Sequence, residues 1–271
     1  MTIERYTMDK WRTLSEIVIP DGVTSIGFEA FRGFSNLEKV VIPDSVTTIG
    51  EGAFCECEKL SAVKLPDSVE TIDLLAFYST ALTSVSLPKS VRTVGMRAFD
   101  CPVYVDEGNE WYSDIEGVLF NKDKTVLVSF PSENGPKTYF IPDVEKIGDG
   151  AFFGCTLDCL DIPDGVVEIG EQAFYEMEMP GFLDIPQSVQ RIGDDAFIHP
   201  VDVYHYNEDW YIDDYAITLH VGAGEIEFKD STFGNRLLYV PEDCYSKWEG
   251  RLGKVVYSRG MPVHRVRRYA K

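Results

Sequence analysis

No apolar run in these 271 residues exceeds five, and Ile17-Val18-Ile19 is typical, so no segment is built to span a membrane as a helix. No charged-then-apolar leader opens the chain either. Met1 to Trp11 is mixed and polar, so the sequence as written is not expected to be a secretory precursor. Histidine is scarce, at four, and Gly-x-Ser-x-Gly, His-Glu-x-x-His, phosphate-loop and dinucleotide signatures are all missing. No catalytic residue and no cofactor are therefore assigned. A metal or hydrolytic site, if the chain held one, would draw on His199, His205 and His220 beside Asp213 and Asp214. The six cysteines lack paired zinc spacing: Cys55-x-Cys57 and Cys155-x₃-Cys159 form no ligand pairs, so no metal is assigned. Disulfides are not required, which leaves the redox compartment open. Glycine (22) and proline (14) stand at ordinary levels, which excludes collagen-like and low-complexity chains, and 13% aromatic residues exclude disorder.

Acidic residues are abundant and unevenly spread. The net charge is −20, yet residues 251–271 hold seven Lys and Arg and no acid. The other 250 residues therefore carry 45 acidic against 18 basic side chains, or −27. Such a body repels phosphate backbones and excludes nucleic acid as a partner of the main surface. The basic tail is suited to docking on an acidic surface, this protein's own body included.

A repeat dominates the chain. Ala-Phe recurs at Ala30-Phe31, Ala53-Phe54, Ala76-Phe77, Ala98-Phe99, Ala151-Phe152, Ala173-Phe174 and Ala196-Phe197, in steps of 23, 23, 22, 53, 22 and 23 residues. A proline precedes each pair, from Pro20 to Pro186. The second copy shows the unit: Leu37, Val40, Ile42, Pro43, Asp44, Val46, Ile49, Gly50, Ala53, Phe54. Val40 and Ile42 alternate as in a strand, and proline, lacking an N–H, ends it. Gly27, Gly50, Gly95, Gly148, Gly170 and Gly193 share one slot, with Asp73 as the exception, and the pattern predicts positive φ there. One coil cannot bury enough apolar surface to offset ordering its backbone, so the coils must stack into a solenoid. Cys57 and Cys155 share the slot three after Phe, Cys101 falls one short of it, and all three are expected to be buried thiols.

The run Leu-x-x-Val-x-Ile-Pro-Asp-Ser-Val-x-x-Ile-Gly-x-x-Ala-Phe, best seen in residues 37–54 and 60–77, closely resembles the BspA-like leucine-rich-repeat family. So does Asn109 to Phe120, of the form Asn-x-x-Tyr-Ser-x-Ile-x-Gly-Val-Leu-Phe. The resemblance is strong over about 14–200 and weaker over 201–262. It implies a β-rich α/β fold: a right-handed solenoid of about 23-residue coils, with a parallel sheet on one face and short strands or helical turns on the other. It also implies a bacterial surface or secreted protein, non-enzymatic, that binds host or matrix proteins.

The chain reads as a single domain, 1–271, with an N-terminal cap over 1–13 and coils over 14–102. A hairpin insertion follows over 103–135, then further coils over 136–200, a second insertion over 201–235, and a last coil, cap and basic tail over 236–271. Gly117 to Phe120 and Thr125 to Val128 are the two strands predicted within the first insertion.

Exposed strand positions are the place for a partner. The outward rows are Val18, Val41, Lys64, Ser86, Phe140, Asp161, Asp184 and Glu16, Lys39, Ala62, Ser84, Thr138, Cys159, Phe182. From these, Lys39, Val41, Lys64, Phe140, Asp161, Phe182 and Asp184 are the expected contacts to a protein or extracellular-matrix partner. The hairpin aromatics Trp111, Tyr112, Trp210 and Tyr211 suit stacking on sugar rings, and equally suit packing the hairpins onto the solenoid. A column after the prolines (Asp21, Asp44, Asp67, Asp143, Asp164) is a place for calcium, or for aspartates that bond their own turn backbone and stay solvated.

Overall fold

A computed structural model describes residues 1–3, 11–178, 182–198, 216–219, 232, 238–241 and 267–269. The chain divides into two compact units, Met1–Gly135 and Pro136–Lys271. Both are β-solenoids whose coils follow the repeat read from the sequence. Among the described residues there is no α-helix, so the second face is made of short strands rather than helical turns.

In the first unit, one wall is a five-stranded parallel sheet of two-residue rungs: Thr2–Ile3, Ser25–Ile26, Thr48–Ile49, Thr71–Ile72 and Thr93–Val94. We call this the narrow wall. The wide wall carries the three-residue strands Glu16–Val18, Lys39–Val41 and Ala62–Lys64, then Val85–Leu87 paired with Val103–Val105. Ile17 and Val40 point inward from it and Ile26 and Ile49 from the narrow wall, meeting Val23, Val46, Val69 and Val91, which are fully buried. The first rung explains how the N-terminus shields the stack: Ile3 packs into the core while the Met1 amine donates to the Gly22 carbonyl and Thr24 Oγ1.

The Ala-Phe segments form a third wall. Phe31, Phe54, Phe77 and Phe99 stack with ring centroids 5.2, 5.1 and 5.4 Å apart and planes within 11° of parallel. Its backbone is a run of tight turns in which alternate N–H groups serve different partners. The Ala30 and Arg32 amides donate within the coil, to Gly27 and Glu29 carbonyls, while Glu29, Phe31 and Gly33 donate to Glu51, Ala53 and Cys55 carbonyls of the next coil. These five donors are thus satisfied although the wall is not a strand.

That arrangement corrects the expectation for the shared glycine slot. None of its six glycines has positive φ. Left-handed backbone instead occurs two residues later, at Glu29, Gly52, Leu75, Arg97, Gly150, Gln172 and Asp195. The glycines are required by close approach: a Cβ on Gly95 would lie 2.3 Å from the Leu74 nitrogen, and one on Gly193 would lie 2.4 Å from that of Glu171. The neighbouring coil's backbone, not the glycine's own dihedral, excludes a side chain there.

Between Val105 and Gly135 the chain forms an antiparallel meander. Val118–Asn121 pairs with Val126–Ser129 as the sequence predicts, and Tyr112–Ile115 adds a strand it did not reveal. Glu116 and Gly117 join the first two strands with φ of 51° and 83°, a two-residue hairpin turn. Asn109 anchors this insertion and is fully buried. Its Nδ2 donates to the Pro88 and Val91 carbonyls at 2.9 Å, and its Oδ1 accepts from the Trp111 and Tyr112 amides at 2.8 Å.

The second unit repeats the plan. Its wide wall holds Thr138–Phe140 paired with Cys159–Asp161, and its narrow wall holds Lys146–Ile147, Glu168–Ile169 and Arg191–Ile192. Phe152, Phe174 and Phe197 stack at 5.3 and 5.2 Å. Phe182–Ile185 leads a parallel ladder through Ala216–Leu219 and Leu238–Pro241 to Arg267–Tyr269. Within 201–235, read as a second insertion, Ala216–Leu219 is therefore a further parallel rung, and part of the basic tail is the last one.

Candidate binding face

The exposed side of each wide wall is where the repeat leaves its sequence free to vary, since inward positions are fixed by the core. In the first unit the strands hold Glu16, Lys39 and Ala62 in one register row and Val18, Val41 and Lys64 in another, all exposed. Val18 is 65% accessible and Val41 39%. Lys39 Nζ lies 2.7 Å from Glu16 Oε1, an exposed pair worth little to stability, so the row is close to neutral. Ser86 belongs to the row of Val18, Val41 and Lys64 and is in register with Tyr104, whose ring is 49% accessible. The sequence reading missed Tyr104, since Val103–Val105 stood within the insertion, although its alternation of apolar and outward residues is that of the other rungs.

In the second unit Thr138 pairs with Cys159 and Phe140 with Asp161. All four are exposed, Phe140 at 67%. Asp184 is exposed on the following strand, between buried Leu183 and Ile185. Phe182 belongs to that strand, but its side chain lies outside the described residues. The expected contacts thus fall into two groups on separate units: Lys39, Val41 and Lys64 on one, Phe140, Asp161 and Asp184 on the other.

The narrow walls differ between the units as well. Thr48, Thr71 and Thr93 hold one register row in the first. The equivalent row of the second is Lys146, Glu168 and Arg191. Lys146 Nζ lies 2.8 Å from Glu168 Oε1, and Arg191 pairs with the other oxygen. Partial burial works to raise the Glu168 carboxyl, but the bonds from Arg191 and Lys146 outweigh it and hold the group below the usual range.

The aromatic candidates on the first insertion are engaged by the chain itself. Tyr112 is half-buried, its hydroxyl accepts the Val94 amide at 3.0 Å, and burial raises its pKa. Trp111 is 38% accessible and carries the Arg92 guanidinium 5.1 Å from its ring centre. Trp210, Tyr211, His199, His205, His220, Asp213 and Asp214 lie outside the described residues. Asp21, Asp44, Asp67, Asp143 and Asp164 are exposed, and among the described residues no group of three or more His, Cys, Asp or Glu is placed to hold a metal. Cys57, Cys101 and Cys155 are buried as expected, and burial pushes the Cys57 and Cys101 thiols up to about 12. Cys159 is exposed, and none of the described cysteines is disulfide-bonded.

One further group was not legible in the sequence. The fourth coil is a residue short in the Ala-Phe wall, and the Ser79 amide, which would meet a backbone carbonyl there, donates to Asp100 Oδ2 at 2.5 Å. Loss of solvent raises the Asp100 carboxyl to about 6, against the lowering effect of that bond and of Arg97.

The family described as BspA type leucine rich repeat region matches residues 1–105 and 129–209, in six copies. No curated protein matches the chain by sequence. Among solved structures, a leucine-rich repeat protein from Eubacterium ventriosum is 24% identical with a TM-score of 0.65, over 89% of this chain and 72% of that one. A leucine rich cell surface protein from Faecalibacterium prausnitzii gives 24% and 0.61, over 92% and 78%. The pneumococcal vaccine antigen PcpA gives 21% and 0.55, over 88% and 76%. At these identities the likeness establishes the fold.

Proposed function

This chain belongs to the BspA-type leucine-rich-repeat family, and we propose that it acts as a non-enzymatic adhesion module that binds a protein partner across its exposed wide walls. The observation that carries the reading is Phe140, a large apolar side chain left 67% accessible on the sheet between half-buried Tyr139 and buried Ile141. Val18 and Tyr104 occupy the same kind of position on the first unit. Exposed aromatic and β-branched residues on a rigid sheet suit recognition, because they offer area without losing much side-chain entropy on binding. Such repeat families commonly serve in protein interaction and at surfaces, and surface placement with a host or matrix partner is part of the proposal. The alternative of glycan binding has less behind it, since Tyr112 and Trp111 already have partners within the chain.

The test is capture from host or matrix extracts by immobilised wild type, a Phe140→Ala/Phe182→Ala variant and a narrow-wall control, Thr71→Ala. Loss of the captured protein with the double variant alone supports the wide wall. Capture that survives it and is lost with the control contradicts the reading.

A further inference from the structure

The two wide walls differ in charge. Residues 136–198 hold thirteen acidic side chains and three cations, Lys137, Lys146 and Arg191. Lys146 and Arg191 are both bound to Glu168 on the narrow wall, and Lys137 Nζ donates to the Thr156 carbonyl at 3.2 Å. Within residues 136–198 all three cations are thus engaged away from Asp161. Asp161 has neither a hydrogen bond nor an ion-pair partner among the described residues, and it stands in register beside Phe140 on the adjacent parallel strand. Adjacent strands lie about 4.8 Å apart, so an aromatic face and a carboxylate stand side by side, both in solvent.

That pair has a chemical complement. A guanidinium is planar, stacks on an aromatic face through cation–π attraction, and donates a fork of N–H bonds to a carboxylate. An ammonium is a compact, strongly hydrated charge that uses the carboxylate but gains less from the ring. Asp184 on the next strand and Asp158 just before Cys159, both exposed, extend the negative field without adding an apolar contact.

We propose that the wide wall of the second unit binds a basic, arginine-bearing segment of a protein partner, with one guanidinium seated on Phe140 and held by Asp161. This rests on the wide wall being the working surface and specifies what that surface takes. The near-neutral first wall, with Val18, Val41 and Tyr104 and with Glu16 paired to Lys39, is not part of this site.

The test measures fluorescence anisotropy of labelled nona-arginine and nona-lysine against the full chain and three variants, Phe140→Ala, Asp161→Asn and Asp44→Asn, each first shown to melt like wild type. Wild type is expected to prefer the arginine probe severalfold. Phe140→Ala and Asp161→Asn each weaken that probe by roughly threefold to tenfold and erase the preference, while Asp44→Asn binds like wild type. Equal affinity of all four proteins, or no preference between probes, means diffuse attraction to an acidic body and overturns the proposal. Those outcomes leave intact a Phe140-dependent capture of another kind of partner, so the two readings fail separately.

Discussion

Changing Asn109 to aspartate keeps the side chain's shape and removes the two N–H donors that reach the Pro88 and Val91 carbonyls. A carboxylate would then face two carbonyl oxygens in a site closed to water. The expected cost is about 2–4 kcal/mol in urea denaturation, since unsatisfied buried groups lose their full solvation. A cost below about 0.5 kcal/mol would show that the residue does not anchor the insertion. Asp100 is expected to act in the opposite direction at neutral pH. Its folded pKa is raised, so its contribution to stability is full below about pH 4 and is lost as pH rises through about 6. Asp100→Asn is then neutral near pH 4 and stabilises at pH 7 by on the order of 1–2 kcal/mol, allowing for the group's partial exposure. A pH-independent difference between the two proteins would contradict this. Asn109 stood in a recognisable run of sequence, but its four bonds did not, because two partners lie on the preceding coil.

Within a coil, the strand and its end were legible because both follow from single residues: alternating Val40 and Ile42, then Pro43. The third wall was not. Its glycine slot carries the same composition whether positive φ or a neighbouring backbone demands it, and only the stacked coil distinguishes the two. The true left-handed positions hold Glu29, Leu75 and Arg97, which propensity does not favour. Bonds to the next coil, such as the Glu29 amide on the Glu51 carbonyl at 2.8 Å, offset that strain. Two glycines separate the causes. Gly154 has φ of 67° and open space around a Cβ, so Gly154→Ala should cost about 1 kcal/mol. Gly95 has no positive φ but meets the Leu74 backbone, so Gly95→Ala should cost about 2–3 kcal/mol or more. Thermal melts giving the reverse order would restore the dihedral explanation.

At the scale of the chain, seven Ala-Phe pairs in register disclose the stack, and alternation discloses which strand residues face outward. Phe140 and Asp161 were legible as outward residues for that reason. That the cations of 136–198 are engaged elsewhere was not, because Lys146 and Arg191 meet Glu168 only when three coils align on the narrow wall. All of this depends on each coil completing its core with side chains from the coils beside it. The most direct test is amide hydrogen exchange on the full chain carrying Phe77→Ala, which removes one ring from a stack of four. The truncation should cost about 3–5 kcal/mol. Protection is expected to fall in the flanking coils around Phe54 and Phe99 as well as around residue 77 itself. Loss confined to residues 60–82, with both neighbours protected as in wild type, would mean that each coil holds its own core and would contradict the account.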